Sequence, residues 1–323
     1  MSERPSLADI REAHARIAPH IHRTPVVRSR SLDKLVGAEL FFKCENLQRS
    51  GSFKIRGATN AVLALGAEEA SPGVVTHSSG NHAAALALAA SLRGIVAHIV
   101  MPENAPTVKV AAVKAYGGRI TFCSPSMEAR QEAAARIIAE TGATLIHPYN
   151  DHRIIAGQGT AALELLEGVE HLDMVLAPVS GGGLLSGTAL AARGLRRQVQ
   201  VLGCEPRNAD DAFRSLREGR IVTNQHPATI ADGLRANLGD KTFPIIRELV
   251  DDIVLVSEEE IVQAMRLLFE RMKLVVEPSG AVALAAALSG SAKVAGKRVG
   301  IILSGGNVDM SAFCASLLPQ ADS

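Results

Sequence analysis

The sequence is poor in aromatic residues, with no tryptophan, two tyrosines and eight phenylalanines among 323 residues. Proteins that bind single-stranded nucleic acid usually stack the bases on exposed aromatic rings, so this class of partner is not expected. An excess of charge is also missing, because 34 Lys and Arg residues balance 33 Asp and Glu residues and leave a formal charge of +1. We therefore expect neither nucleic acid nor a membrane surface as a partner.

Cysteine and long apolar runs are scarce as well. Cys44, Cys123, Cys204 and Cys314 are far apart and form no Cys-x-x-Cys pair, which argues against a disulfide framework or a cysteine zinc site. No apolar run approaches the roughly 20 residues that cross a bilayer. The N-terminus is charged from Glu3 onward and lacks the apolar stretch of a signal peptide. These absences predict a cytoplasmic protein with reduced thiols.

Apolar residues make up 47% of the chain, and its length corresponds to about two domains of roughly 150 residues. Short β-branched runs alternate with longer alanine-rich stretches, a pattern typical of parallel sheets with crossover helices. Strands are predicted at residues 73–77, 95–101, 119–123, 143–147, 173–179, 199–205, 252–256 and 298–303. Helices are predicted at residues 82–92, 107–116, 127–140, 154–166, 184–195 and 257–273, and another after Ser6. The fold class is α/β, with two open, mostly parallel twisted sheets flanked by helices and a cleft between them.

Three consecutive glycines at positions 181–183 lie between a predicted strand and a predicted helix. Glycine lets the backbone approach an anion closely, and a helix N-terminus adds free N–H groups, so the segment predicts a phosphate site. A tight turn without a ligand is the ordinary alternative. A nicotinamide dinucleotide site is a further one, since Gly181, Gly183 and Ser186 approximate Gly-x-Gly-x-x-Gly and Glu205 ends the next strand.

Two more loops follow predicted strands. Residues 78–82, Ser-Ser-Gly-Asn-His, offer hydroxyls, an amide and helix N-terminal N–H groups, which suit a carboxylate. Helix capping would explain one of these residues but not the whole run. Residues 303–307, Leu-Ser-Gly-Gly-Asn, are a weaker signal, because turns favour these residue types.

Lys54 lies among small residues and beside Phe53. Most lysines are solvated surface charges, but a lysine near apolar surface loses its proton more easily, as imine chemistry requires.

Together these segments resemble the fold-type-II pyridoxal-phosphate enzymes of the serine/threonine dehydratase and serine racemase family. The resemblance extends in one order from about Ile10 to Asn307, and the family includes 3-hydroxyaspartate dehydratases. The segments that carry it are SGSFKIRGA at 50–58, THSSGNH at 76–82, SGGGLLSG at 180–187 and LSGGN at 303–307.

The resemblance implies that pyridoxal phosphate binds in the cleft between a large cofactor domain, residues 1–72 and 149–323, and a small substrate-loop domain, residues 73–148. It implies two catalytic residues, Lys54 as imine-forming amine and base at Cα, and Ser79 on the opposite face of the cofactor. The implied cofactor-binding residues are Phe53, Lys54, Asn81, Ser180, Gly181, Gly182, Gly183, Leu184, Glu277 and Ser304. The implied substrate-binding residues are Ser78, Ser79, Gly80, Asn81 and His82.

The resemblance also implies a divalent-cation site formed by Glu205, the backbone oxygen of Ala209, and Asp211. Ligands that are all oxygen fit Mg²⁺, Ca²⁺ or Mn²⁺. Loop capping by the two acids is the competing interpretation.

The expected activity is elimination of water from small L-β-hydroxy amino acids such as serine or threonine, with racemisation of serine possible through Ser79. A 3-hydroxyaspartate ammonia-lyase that gives oxaloacetate is an alternative within the family. Alternatives of other classes are an NAD-dependent oxidoreductase and a non-catalytic two-lobed amino-acid-binding protein. The expected partners are a small amino-acid substrate and a second copy of the chain in a homodimer.

Overall fold

The computed structural model describes residues 4–224 and 226–317 as an α/β protein with two sheets. Its strands are β1 (Val26–Val27), β2 (Glu39–Cys44), β3 (Val74–His77), β4 (Ala97–Pro102), β5 (Arg119–Cys123), β6 (Thr144–Leu145), β7 (Met174–Pro178), β8 (Gln200–Pro206), β9 (Asp252–Val256) and β10 (Arg298–Leu303). Its helices are α1 (Leu7–Ile17), α2 (Arg30–Val36), α3 (Lys54–Leu63), α4 (Ala67–Ala70), α5 (Asn81–Arg93), α6 (Thr107–Ala115), α7 (Met127–Thr141), α8 (His152–Gly168), α9 (Gly183–Leu195), α10 (Asp211–Glu218), α11 (Thr242–Leu249), α12 (Glu258–Leu267), α13 (Pro278–Leu288) and α14 (Met310–Leu317).

The larger sheet has the strand order β1-β2-β10-β7-β8-β9, and every pair in it except β1 with β2 is parallel. Side chains of its central strands alternate between two buried cores. Val175 and Ala177 pack into one core, whereas Leu176 of the same strand packs into the other. A parallel sheet covered by helices on both faces has this pattern, so only the strand ends are open to a ligand.

The smaller sheet has the order β5-β4-β3-β6, and all its pairs are parallel. Its strands lie between Val74 and Leu145, inside the predicted small domain of residues 73–148. The two-sheet α/β class is therefore confirmed, while the domain boundaries stay a prediction. Residues 1–3, 225 and 318–323 of the predicted large domain lie outside the described part of the chain.

The predicted strands and helices all appear, with ends shifted by a few residues. The predicted capping box at the start of α1 is present, because Ser6 accepts from the Asp9 N–H and Asp9 accepts from the Ser6 N–H. Along residues 4–224 and 226–317, no helix is long and apolar enough to span a bilayer.

A buried network of charged side chains joins α3, α8 and β2. The guanidinium of Arg56 donates to both carboxylate oxygens of Glu45 and both of Glu164, at 2.7–2.9 Å. Lys43 adds a 2.5 Å hydrogen bond to Glu164 and another, at 2.7 Å, to the carbonyl of Thr24. The four charged side chains are almost completely buried. Two cations thus balance two anions, which offsets much of the cost of removing them from water.

We predict that Arg56→Met lowers the free energy of unfolding by about 3–5 kcal/mol, because it leaves two buried carboxylates with too little positive charge. Urea unfolding of the cofactor-saturated protein measures this change. Arg220→Ala, which removes an exposed ion pair with Glu218, is the control and should cost at most about 1 kcal/mol. Equal costs for the two variants would contradict the interpretation of the network.

Candidate active site

Lys54 is the first residue of α3, and its loop is tied to the end of β10. The chain turns sharply before it, with Ser50 at φ 60° and Gly51 at φ 72°. The N–H of Phe53 donates to the Ser304 carbonyl at 3.0 Å, and Ser52 forms a β-bridge with Gly305. Because β2 and β10 are parallel neighbours, their carboxyl ends bring the lysine loop and the segment after β10 together.

The amine of Lys54 has an unusual environment for a lysine. Its Nζ donates a 3.0 Å hydrogen bond to the Pro148 carbonyl. Burial lowers its pKa from the ordinary 10.5 to about 8, although the charge of Glu277 acts in the opposite direction. At pH 7 about one amine in ten is then neutral, compared with about one in three thousand for an ordinary lysine. Only the neutral amine can add to a carbonyl group, so Lys54 is suited to that reaction.

The loop of residues 78–82 connects β3 to α5. Its N-cap, Gly80, supplies no side-chain cap to α5, and the first N–H groups of a helix have no partner within the helix. Ser78 accepts from the Gly80 N–H at 3.2 Å, which holds the turn closed. Hydroxyls next to an uncapped helix N-terminus can bind a carboxylate, as the sequence predicts.

His82 lies in the first turn of α5 and is buried. Burial, reinforced by the charge of Lys54, lowers its pKa to about 3, so the ring is neutral at physiological pH. Its Nε2 lies 3.3 Å from the Ile146 carbonyl, which assigns the proton to Nε2. The buried Nδ1 has no hydrogen-bond partner within the described chain, so it is an available acceptor close to the lysine.

The glycine-rich loop after β7 has a backbone conformation that would suit an anion. Ser180 and Gly182 have positive φ angles of 55° and 88°, and α9 begins after Gly182 without a side-chain cap. The carbonyl of Gly181 accepts from Thr242 Oγ1 at 2.8 Å, which fixes the loop from behind. Leu184 continues the first turn of α9. The loop therefore presents the free N-terminus of a thirteen-residue helix.

Tyr149 covers this loop and is a site residue that the sequence reasoning missed. A Cβ placed on Gly181 would lie 2.4 Å from the Tyr149 ring, and one on Gly183 would lie 3.0 Å from the Tyr149 Cβ. The ring also contacts His147 edge-on, with 4.6 Å between centroids. The sequence feature that could have identified Tyr149 is its position, directly after Pro148 in the segment that follows β6. Positions 181 and 183 thus require glycine because Tyr149 packs directly against them, and not only because the chain turns there.

An amide and carboxylate network links the two sheets. Asn81 Nδ2 donates to Glu277 Oε1 at 2.6 Å, and Asn307 Nδ2 donates to Asn81 Oδ1 at 3.0 Å. Burial raises the pKa of Glu277 to about 7. Its Oε2 is buried and has no hydrogen-bond partner in the described residues. Ser304, at the end of β10, is buried next to this network and donates to the Ser279 carbonyl at 3.5 Å.

These contacts, together with the packing of Tyr149 on Gly181 and Gly183, define the loop junction, the place where four loops meet around residues 148–149. Lys54 contacts the Pro148 carbonyl, Asn81 contacts Asn307, and Phe53 contacts Ser304. The loops of the junction are residues 50–54, 78–82, 179–184 and 304–307. All four follow the carboxyl ends of strands, where ligands bind in open α/β sheets.

The predicted cation ligands lie beside the junction rather than in it. Glu205 is the second-last residue of β8 and accepts the N–H groups of Ala212 and Phe213 at 3.2 and 2.9 Å. Burial, with the nearby charge of Asp211, raises the Glu205 pKa well above its ordinary value. Burial also raises the Asp211 pKa to about 7, and Asp211 Oδ2 has no hydrogen-bond partner within residues 4–224 and 226–317. Ala209 is buried just before Asp211.

The described residues contain no group of three or more His, Cys, Asp or Glu side chains placed to hold a metal ion. A site made of two carboxylates and a backbone oxygen contains only two such side chains, so the prediction for Glu205, Ala209 and Asp211 remains untested.

The geometry does not favour the dinucleotide alternative. That interpretation needs Glu205 to bind a ribose hydroxyl, but Glu205 is fully buried and already accepts two backbone N–H groups. Ser186, at the place of the third glycine, is buried in α9, and its Oγ donates to the Thr242 carbonyl at 3.3 Å.

Comparison with known proteins points to the same chemistry. Residues 17–305 match the family model described as "Pyridoxal-phosphate dependent enzyme". The chain is 55% identical to a serine racemase of Oryza sativa subsp. indica over 313 residues, which cover 95% of this chain and 92% of that protein. It is 51% identical to a β-hydroxyaspartate dehydratase of Paracoccus denitrificans (strain Pd 1222) over 306 residues, 95% of this chain and 97% of that protein.

Solved structures show the same fold. Maize serine racemase superposes with a TM-score of 0.93 at 53% identity, covering 97% of this chain and 96% of that chain. Serine racemase of Dictyostelium discoideum superposes with a TM-score of 0.90 at 50% identity, covering 94% of this chain and 99% of that chain. A solved threonine deaminase also superposes with a TM-score of 0.90, at 49% identity, covering 95% and 99% of the two chains. The resemblance in the sequence and the arrangement of the loops therefore agree.

Proposed function

The chain belongs to the pyridoxal-phosphate dependent enzymes, and we propose that it eliminates water from small L-β-hydroxy amino acids to give a 2-keto acid and ammonia. Racemisation of serine is proposed as a second activity of the same site. The observation that carries the proposal is the amine of Lys54, with a pKa of about 8, at the loop junction. Relatives named serine racemase and β-hydroxyaspartate dehydratase support the substrate class.

The residues of the junction fit the cofactor. The uncapped N-terminus of α9 and the positive φ angles of Ser180 and Gly182 suit the phosphate. The lowered pKa of Lys54 suits attachment to an aldehyde. The residues proposed to hold pyridoxal phosphate are Phe53, Lys54, Asn81, Ser180, Gly181, Gly182, Gly183, Leu184, Glu277 and Ser304.

When bound, pyridoxal phosphate supplies an electron sink for the negative charge that develops at the substrate Cα. Lys54 removes the Cα proton, for which a neutral amine with a pKa near the working pH is well suited. The carbon–oxygen bond to the β-hydroxyl then breaks, and the oxygen leaves as water with a proton that balances the one taken from Cα. The enamine product takes up one water and gives the keto acid and ammonia.

Other residues of the junction orient the substrate and direct the reaction. Ser78, Gly80 and the N-terminus of α5 are proposed to bind the substrate carboxylate. Ser304 is proposed to contact the ring nitrogen of the cofactor. Its neutral hydroxyl cannot hold a proton there as a carboxylate would. A cofactor whose ring nitrogen stays unprotonated would withdraw electrons from the substrate Cα more weakly, which would favour elimination over transamination.

Ser79 is proposed as the second proton-transfer group, opposite Lys54. One base can remove the Cα proton, but inversion at Cα needs a proton donor on the other face. The neutral ring of His82 in the same loop is available only as a hydrogen-bonding group, since its pKa of about 3 keeps it uncharged. Ser79 therefore accounts for racemisation but is not needed for elimination.

A 3-hydroxyaspartate ammonia-lyase is the second candidate function. The relative from Paracoccus denitrificans is named β-hydroxyaspartate dehydratase, and it covers nearly the whole chain. The product of that reaction is oxaloacetate, so serine, threonine and 3-hydroxyaspartate must be compared directly. The oxidoreductase and binding-protein alternatives are not supported, because the family matched is one of pyridoxal-phosphate enzymes.

A divalent cation, Mg²⁺, Ca²⁺ or Mn²⁺, is proposed to bind Glu205, the Ala209 carbonyl and Asp211. Two buried carboxylates with raised pKa values, one with an unpartnered oxygen, are costly without a cation. A cytoplasmic location and a homodimer also stay proposals.

We predict that Lys54→Ala reduces 2-keto acid release from serine, threonine and 3-hydroxyaspartate by at least about 1000-fold, because both attachment and proton removal are lost. A keto-acid assay measures this, and borohydride reduction with peptide mapping shows where the cofactor attaches. Lys34→Ala, which changes an exposed lysine, should leave both results unchanged. Full turnover by Lys54→Ala, or a label at another lysine, would contradict the proposal.

We predict that Ser79→Ala lowers conversion of L-serine to D-serine by at least about 100-fold and elimination from L-serine by less than about tenfold. Chiral chromatography and the keto-acid assay measure the two rates on one preparation. Ser78→Ala is the neighbouring control and should weaken both reactions equally. Equal loss of both activities in Ser79→Ala would exclude an arrangement of two bases.

We predict that Mg²⁺, Ca²⁺ or Mn²⁺ raises the melting temperature of chelator-treated protein, since a ligand at 100 times its Kd stabilises the folded state by about 2.7 kcal/mol. Asp211→Asn should abolish the rise. Asp252→Asn, which changes an exposed acid paired with Arg217, should preserve it. If none of the three ions shifts the wild-type melting temperature, the cation proposal is wrong.

A further inference from the structure

An ion pair between Lys109 and Asp232 joins the units of the two sheets. Lys109 lies on α6, which follows β4 of the smaller sheet, and its side chain is only 8% exposed. Asp232 starts a 3-10 turn, Asp232–Leu234, which packs on α13 beside the larger sheet. Its side chain is 38% exposed, so the pair lies near the protein surface rather than in a core.

The Asp232 side of the pair is firmly held. The N–H of Gly233 donates to Ser279 Oγ at 2.9 Å, and Leu234 is buried in a core of the larger sheet. Ser279 is also the residue whose carbonyl accepts from Ser304. The carboxylate is therefore fixed to the frame that carries the proposed cofactor residues Glu277 and Ser304.

The Lys109 side of the pair lies next to the proposed substrate loop. Its Nζ lies 4.0 Å from the position that a Cβ on Gly80 would occupy. Gly80 is the N-cap of α5, and α5 packs against α6. A buried ammonium needs a counterion, so the burial of Lys109 is most favourable when Asp232 is in contact with it. That contact requires the substrate loop to lie close to the larger sheet.

Both charges act on the same buried group. The charge of Lys109 lowers the pKa of Glu277, whereas that of Asp232 raises it. Glu277 is the residue that accepts from Asn81, the first residue of α5. The pair and this hydrogen bond thus both cross from one sheet unit to the other, the first from α6 and the second from the first residue of α5.

We propose that Lys109 and Asp232 form a positioning pair, whose contact holds loop 78–82 against the larger sheet and so sets the affinity for the substrate carboxylate. This inference rests on the proposed function. Neither residue takes part in proton transfer. Breaking the pair therefore raises KM for the amino acid more than it lowers kcat, and it loosens α6 even without substrate.

A double-mutant cycle tests the coupling. Lys109→Met and Asp232→Asn should each raise KM for L-serine about tenfold and change kcat less than about threefold, while the double variant should be no worse than the poorer single variant. Lys114→Met, on the exposed side of the same helix, is the matched control and should keep the wild-type KM.

Opposite effects of the two single variants would overturn the proposal. If Lys109 bound the substrate carboxylate directly, Asp232 would compete with the substrate, so Asp232→Asn would lower KM while Lys109→Met raised it. Effects that add in the double variant would also overturn it, because they would show that the two residues act independently.

Hydrogen exchange of the cofactor-loaded protein, without substrate, gives a second readout. Amides of α6 and of loop 78–82 should exchange about tenfold faster in each single variant than in the wild type. In the double variant they should exchange no faster than in the single variants. Unchanged exchange in these segments would contradict the proposal even if KM rose. Failure of the proposed function is seen separately, since the wild-type enzyme would then release no keto acid from any of the three substrates.

Discussion

The proposed site depends on one lysine amine that is buried and has no carboxylate in contact with it. Among the described residues, Lys54 makes its hydrogen bond to the carbonyl of Pro148, whereas Lys43, the buried lysine of the charged network, contacts Glu164 directly. A carboxylate in contact would favour the charged form and raise the pKa. Because Glu277 acts only at longer range, burial dominates and the Lys54 pKa falls to about 8. Burial without a carboxylate in contact is what suits this lysine to react as a neutral amine.

The same constraint explains why the site forms between two sheets. Pro148 follows the smaller sheet and Lys54 follows β2 of the larger one, so the amine obtains its partner only when both sheet edges are in place. Asn81 and Tyr149 reach across in the same way, one to Glu277 and the other to the glycine-rich loop. Strand ends of two parallel sheets thus supply the anion sites, the amine and the amide from different parts of the chain.

Much of this arrangement could be predicted from the sequence, because its signals are local. Alternating strands and helices, the glycines at 181–183 and the run at 78–82 each lie within a few residues. The sequence reasoning missed the strand β2, whose residues form one apolar run interrupted by a lysine. Lys43 can be buried there because it pairs with Glu164, a residue 121 positions away in the sequence. Contacts such as Tyr149 on Gly181, or Lys109 with Asp232, join residues that only the order of strands brings together.

Helix α3 shows how stability and reactivity are combined in one element. Successive helix residues are rotated by about 100°, so Lys54 and Arg56 point to nearly opposite sides. Lys54 faces the loop junction, while Arg56 is locked between Glu45 and Glu164 in the interior. The buried network is a costly way to gain stability, because apolar side chains could fill the same space. It does, however, fix α3 to Glu45, directly after β2, and to α8 through four directed hydrogen bonds. A helix held in that way can keep an amine two residues earlier in an environment that would otherwise push it back into water.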